Sequence, residues 1–142
     1  MLFLLDKSAH EVARRDPGAR RTFETLAVTG LLATCAIVEL EILYSARNLS
    51  DHARLKQYLH GQCVWLETSD AILTGAVDLQ EAMLAAGQHR HPLPDLIIAS
   101  VARYHQAVLV HHDRDFEDIA TVAKDLQTRW IIPPPPAGRK GR

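Results

Sequence analysis

The stretch MLFLLDKSAH (residues 1–10) places an aspartate directly after a run of apolar residues. The apolar run, Leu2–Leu5, is typical of a central strand in a parallel sheet. An unpaired charge at the end of a buried strand is costly, so Asp6 needs a role. Helix capping is one role, but the capping box that runs from Ser8 to Glu11 assigns the N-cap to Ser8. Because ligands bind beyond the carboxyl ends of parallel strands, we predict that Asp6 is a site carboxylate.

Length and composition indicate one compact domain. The chain has 142 residues, of which 47% are apolar, and its 16 basic and 17 acidic residues give a formal net charge of -1. The overall charge of the protein does not favour binding to nucleic acid. Any positive charge that binds phosphate must therefore be concentrated in one part of the surface. Cys35 and Cys63 are predicted to be reduced thiols. The apolar runs are too short to span a bilayer, and the start lacks the pattern of a signal peptide, so we expect a cytoplasmic protein without a membrane partner.

Apolar runs alternate with capped helical segments along the chain. The runs predict strands at residues 2–5, 31–35, 63–67, 107–110 and 128–132. Helices are predicted from about residue 8 and at 16–30, 36–47, 50–59, 69–87, 95–105 and 115–123. This alternation predicts an α/β sandwich with a central, mostly parallel sheet over residues 1–132. The stretch PPPPAGRKGR (residues 133–142) is predicted to be a flexible basic tail.

Glu39 interrupts the apolar face of the third predicted helix. Its helical neighbours are Ala36, Ile42 and Leu43, so we predict that Glu39 points inward and Glu41 outward. The alternative is that Glu39 is a structural acid paired with a buried arginine.

Three aspartates occupy two further helix starts. Asp95 precedes a strongly apolar helix, where it can act as N-cap and metal ligand at once. Asp115 has the spacing of an N-cap followed by an acid, so we predict that Asp115 caps the last helix and that Asp113 faces the site. Asp115 remains a candidate outer ligand.

These acids together predict a cation site. Carboxylates crowded at one place raise one another's pKa, and a hard divalent cation relieves that repulsion. Ligation by oxygen alone suits Mg²⁺ or Mn²⁺ rather than zinc. The histidine pairs at positions 89, 91 and 111–112 lack convincing zinc spacing, and no phosphate-binding glycine loop or serine nucleophile motif is present in the sequence.

Four stretches resemble the PIN domain family, and specifically the VapC-type toxin ribonucleases of type II toxin–antitoxin pairs. In the family's order, they are FLLDKSA (3–9), CAIVELEILYSAR (35–47), PLPDLIIASVARYH (92–105) and VHHDRDFEDIA (110–120). The resemblance covers residues 1–132 and implies a PIN-like α/β/α sandwich. The chain departs from the family in two places, where Ser45 replaces a glycine and His111-His112 replaces a threonine or asparagine before the last acid.

The resemblance implies an endoribonuclease in which metal-activated water cuts RNA to leave a 5′-phosphate and a 3′-hydroxyl. The four acids of the family's active site match Asp6, Glu39, Asp95 and Asp113, and Asp115 matches an accessory acid. By this match the first three hold an Mg²⁺ or Mn²⁺ ion, while Asp113 orients water or binds a second one.

The resemblance also implies partners. RNA would need positive charge beside the acids, and the candidates are Lys7, Arg14, Arg15, Arg20, Arg21 and Arg47, with Arg139, Lys140 and Arg142 of the tail. Their alternative role is ordinary solvated helix surface. A cognate antitoxin is expected to lie in a groove near the acids. The apolar helical segments 12–26 and 49–59 suit that groove, a homodimer interface or simply the core, and the expected assembly is a toxin–antitoxin hetero-oligomer.

Two other functions compete with a ribonuclease. A HAD-like phosphatase would place a second aspartate at position 8, where this chain has Ser8. A catalytically inactive PIN-like module that binds RNA or protein would have no reason to keep unpaired acids. Metal binding separates the last alternative from an enzyme, because a cation stabilises only a protein with an intact site.

Overall fold

The structure, a computed structural model, describes residues 1–88, 90–134 and 136. The strands in this part of the chain are β1 (Leu2–Leu5), β2 (Leu31–Thr34), β3 (Val64–Trp65), β4 (Val108–His111) and β5 (Thr128–Trp130). The helices are α1 (Lys7–Arg15), α2 (Pro17–Thr29), α3 (Ala36–Leu43), α4 (Leu49–Gln62), α5 (Asp70–Ala85), α6 (Leu93–His105) and α7 (Arg114–Val122).

The five strands form one sheet in the order β3-β2-β1-β4-β5, and every neighbouring pair is parallel. Parallel neighbours require crossover connections, and the helices supply them. The predicted α/β sandwich with a central parallel sheet is therefore confirmed.

Alternate residues of β1 enter two separate cores. Phe3 and Leu5 pack with α1 and α2 on one face of the sheet. Leu4 packs on the other face, in a core to which the remaining five helices contribute. Since Leu4 and Leu5 are completely buried, β1 lies between two helical layers, as its continuous apolar sequence predicts.

The structure corrects two predicted N-caps, and the physical reason is the same for both. Asp6, not Ser8, is the N-cap of α1, because its carboxylate accepts the backbone N–H of Ser8. Asp113, not Asp115, is the N-cap of α7, because its Oδ1 atom accepts the N–H of Asp115. In both cases the acid that follows the strand also caps the next helix, so capping and facing the site are not alternatives.

Other element ends differ by a few residues from the prediction. Asn48 rather than Ser50 caps α4, and α6 starts at Leu93 after Pro92, which leaves Asp95 inside the first turn. Helix α3 ends at Leu43 rather than continuing to residue 47.

The predicted tail is only partly described. Residues 133, 134 and 136 have no regular structure, whereas Arg139, Lys140, Arg142 and also His89 lie outside the described residues. Within the described ranges, none of the helices combines the length and apolar character needed to cross a bilayer.

Candidate functional site

The site lies at the carboxyl edge of the sheet, where β1 and β4 end side by side. Leu5 pairs with Val110, and the backbone N–H of Asp6 donates to the carbonyl of Val110 over 2.9 Å. Asp6 and Asp113 therefore follow adjacent strands, which brings them to the same edge.

Ser8 ties these two strand ends together. Its hydroxyl donates to Oδ2 of Asp6 over 2.6 Å and accepts the backbone N–H of His112 over 2.9 Å. Burial raises the pKa of Asp6 above its ordinary value, although the hydrogen bonds from Ser8 oppose that rise and the charge of Asp113 adds to it. The carboxylate is thus fixed in place but remains costly to ionise.

Asp95 faces the same edge from the first turn of α6. Its side chain is 7% exposed, and its Oδ2 atom is buried without a hydrogen-bond partner among the described residues. Burial raises its pKa to about 8, and the negative charges of Asp6, Asp113, Asp115 and Glu41 contribute to that rise. Carboxylate oxygens of Asp95, Asp113 and Asp115 lie within 4.8 Å of one another.

Helix α3 brings Glu41, rather than Glu39, to this cluster. Burial raises the pKa of Glu41, and the next cause is the negative charge of Asp6. The carboxylate oxygens of Glu39 instead lie 2.9 and 3.1 Å from Nε2 of His60 in α4. The prediction that Glu39 points inward is confirmed, since it is 8% exposed. The prediction that it joins the other acids is wrong, because its face of α3 packs against α4.

We define the acid cluster as Asp6, Glu41, Asp95, Asp113 and Asp115. The pKa of Asp115 is also raised, first by burial and then by Asp113. Repulsion of this kind, with no cationic side chain hydrogen-bonded to these acids in the described chain, is what a bound divalent cation compensates. Oxygen atoms are the ligands that Mg²⁺ and Mn²⁺ prefer, so the donor set fits such an ion.

The predicted RNA-contacting residues divide between two surfaces. Burial raises the pKa of Glu41, and the positive charge of Lys7 opposes that rise. Burial lowers the pKa of His112, and the positive charge of Arg15 adds to that lowering. Arg14 and Arg47 lie instead along a separate groove.

That groove lies between the α1–α2 pair and α4. It has a volume of about 1010 Å³, and none of the acid cluster lines it. His10 forms its floor, 8% exposed, with the rings of Phe23 and Tyr58 packed edge-on at 6.0 and 6.5 Å. Of the three roles left open for segments 12–26 and 49–59, both segments line a groove, but the acid cluster does not line it.

Sequence reasoning missed three residues beside the site. The first is Glu41, because the helical pattern predicts only which acid is buried, and that acid is Glu39. A buried acid does not necessarily face the edge of the sheet. Ser8 was assigned only to a cap. Arg114 separates two cluster acids in sequence, and its guanidinium lies 5.5 Å from the centre of the Trp130 ring, which no local pattern indicates.

Comparisons with known proteins agree with the fold. A sequence model of the PIN domain family matches residues 4–122. Ribonuclease VapC21 of Mycobacterium tuberculosis is 40% identical over 133 residues, which is 93% of this chain and 95% of that protein. Ribonuclease VapC51 of the same species is 35% identical over 131 residues, 92% of this chain and 93% of that protein. The solved structure of VapBC2 from Rickettsia felis, bound to a DNA fragment from its promoter, gives a TM-score of 0.76 at 18% identity, covering 92% of this chain and 98% of that one.

Proposed function

The chain belongs to the PIN domain family, alongside the VapC ribonucleases, and we propose that it is an Mg²⁺- or Mn²⁺-dependent endoribonuclease toxin held in check by a cognate antitoxin. The observation that carries the proposal is the acid cluster at the carboxyl edge of the sheet. Burial raises the pKa of four of its carboxylates, those of Asp6, Glu41, Asp95 and Asp115. Asp95 also keeps an oxygen without a hydrogen-bond partner among the described residues. We propose further that residues 1–132 form the nuclease domain.

In this proposal Asp95, Asp113 and Asp115 hold the ion, with Asp6 and Glu41 completing the negative surface. The spacing of their oxygens supports this set, since one oxygen from each of the first three fits within 4.8 Å. A bound Mg²⁺ or Mn²⁺ would lower the pKa of water and stabilise negative charge on a phosphate. No histidine of the described chain needs to act as base.

The protein's own residues position the substrate and the acids. Ser8 holds the carboxylate of Asp6 and the backbone of His112 in register. Lys7 and Arg15 supply positive charge at the rim, where a phosphate backbone would pass. Arg114 adds a further exposed cation over Trp130, where its guanidinium can contact a nucleotide.

The groove between α1–α2 and α4 is the proposed antitoxin site. The groove is lined by both apolar and charged side chains, a combination that suits a helical or extended segment with an apolar face. The related solved structures include VapBC complexes, which supports a hetero-oligomer. Because the acid cluster does not line the groove, the antitoxin must reach the acids by extending beyond it or act without touching them.

RNA cleavage by the purified, antitoxin-free protein tests the activity. Total transfer and ribosomal RNA would be incubated with Mg²⁺ or Mn²⁺, and in parallel with EDTA. We expect discrete bands that require the metal. Stabilisation by Mn²⁺ without cleavage would instead favour a metal-binding module that lacks this activity, and the absence of both would favour a catalytically inactive binding module.

Helix α3 offers a matched pair of variants. Glu41→Gln removes a charge from the acid cluster and should lower cleavage by about 10- to 100-fold, because the cluster then holds the cation less tightly. Glu39→Gln removes the same charge two residues away but keeps an acceptor for His60, so cleavage should stay close to that of the parent protein. The reverse result would return Glu39 to the site and refute the assignment.

A further inference from the structure

His111 ends β4 and is completely buried, although its imidazole ring is polar. The ring lies between Trp130 and Phe116, with centroid distances of 4.8 and 5.4 Å. Most buried polar groups in folded proteins have hydrogen-bond partners, so we infer the role of this ring from its partners.

Both ring nitrogens of His111 are engaged. The backbone N–H of Asp113 donates to Nδ1 over 3.0 Å, and Nε2 lies 2.7 Å from Oε2 of Glu117. A backbone N–H can only donate, so Nδ1 must be the unprotonated acceptor. It follows that the proton of the neutral ring is on Nε2, and that this N–H donates a hydrogen bond to Oε2 of Glu117. The two contacts together fix one neutral tautomer.

These contacts exclude His111 as a metal ligand, because neither nitrogen is available. They place it instead beneath the backbone that carries Asp113. The neighbouring N–H, that of His112, is held by the hydroxyl of Ser8, and Oδ1 of Asp113 is held by the N–H of Asp115. Three hydrogen bonds therefore fix the segment between β4 and α7, and the ring of His111 makes one of them.

We propose that His111 is a positioning residue for the acid cluster and acts only through the backbone of Asp113. Glu117 serves it by keeping the proton on Nε2, so that Nδ1 stays an acceptor. The inference rests on the proposed function, because it assumes that Asp113 contributes to a metal site.

Two substitutions separate the ring's two contacts. His111→Asn keeps an oxygen near the position of Nδ1, so it preserves the acceptor for Asp113. His111→Gln extends its amide toward Glu117 and loses that acceptor. The measurement is the Mn²⁺ dissociation constant of the full chain, from the electron paramagnetic resonance signal of free Mn²⁺. We expect His111→Gln to weaken Mn²⁺ binding by about 10- to 100-fold and His111→Asn by no more than about threefold.

A second pair keeps the test decisive if a buried substitution prevents folding. Glu117 is partly exposed on α7, so its variants should fold. Glu117→Ala should weaken Mn²⁺ binding by about three- to tenfold, because only the N–H of Asp113 then favours the tautomer with the proton on Nε2. Glu117→Gln removes the charge but keeps an acceptor oxygen, so it should bind like the parent. His112→Asn is the matched control on the neighbouring histidine, whose backbone contact is retained.

Of the four results below, all but the third would overturn the proposal. Parent-like Mn²⁺ binding by His111→Gln or by Glu117→Ala would show that the ring contacts do not matter. Equal weakening in His111→Asn and His111→Gln would indicate a general packing defect. A parent protein that binds Mn²⁺ but cuts no RNA would refute the nuclease, while its Mn²⁺ affinities would still decide the role of His111. A parent protein that binds no Mn²⁺ would overturn both.

Discussion

Replacing Asp95 with asparagine should stabilise the metal-free protein and abolish its response to metal. The carboxyl group has an ordinary pKa of 3.8 and a folded-state pKa of about 8, so the native state holds a proton that the unfolded state releases. The stability gained from that proton is fully present below about pH 4 and is lost as the pH rises to about 8. Asparagine cannot ionise, so the unfolding free energy of Asp95→Asn does not fall in this way as the pH rises.

The magnitude follows from the same linkage. Between about pH 5 and about pH 8, each pH unit accounts for at most about 1.4 kcal/mol, which sets a ceiling of roughly 4 kcal/mol. Solvent at the open sheet edge screens the charges, so we expect the variant to gain about 1–3 kcal/mol on the parent over this range. The asparagine amide can also donate to Asp113 or Asp115, whose oxygens lie within 4.8 Å of those of Asp95.

The assay is urea unfolding of the full chain in EDTA, followed at both pH values for the parent and for Asp95→Asn. A gap between the two proteins that widens as the pH rises supports the reasoning. A gap independent of pH, or a variant that is less stable near pH 8, would refute it. Adding Mn²⁺ at about 100 times its dissociation constant should then stabilise the parent by about 2.7 kcal/mol and leave the variant unchanged.

Three further predictions test the surroundings of the site. Ser8→Ala removes both hydroxyl contacts that join Asp6 to β4, so RNA cleavage should fall by about 10- to 100-fold in a protein that still folds, as circular dichroism would verify. Tyr58→Ala, in the groove, should weaken binding of the cognate antitoxin by at least about tenfold without changing the Mn²⁺ dissociation constant, and a loss of Mn²⁺ binding would contradict the separation of the two surfaces. Phe116→Ala leaves a cavity under α7 and should cost about 3–5 kcal/mol of unfolding free energy, measured by denaturant titration.

The sequence predicted the fold well because its apolar runs are continuous. Leu2–Leu5 is typical of a buried parallel strand, and its neighbours β2 and β4 repeat the same apolar pattern. The site was harder, since Glu39 and Glu41 occupy one helix and differ only in direction. A helical wheel ranks positions by burial, and Glu39 is indeed buried, but the rotation of α3 about its axis is set by its contacts with α4. The role of Ser8 could not be predicted either, because its second contact is with His112, more than a hundred residues away.

The distribution of charge also predicts that the metal ion binds before RNA does. Without a cation, the acid cluster presents carboxylates at the edge where an RNA phosphate would have to approach, and the formal net charge of -1 offers no general attraction. A divalent cation reverses the local sign, since a bound ion is the largest charge in such a site. Lys7 and Arg15 at the rim can then act together with the ion rather than against the acids. Tight RNA binding should therefore require metal in the parent protein. Above about pH 8, where Asp95 of the metal-free parent is ionised, Asp95→Asn has one fewer repelling charge. In that range it should bind RNA without metal better than the parent does, even though it cannot cut it.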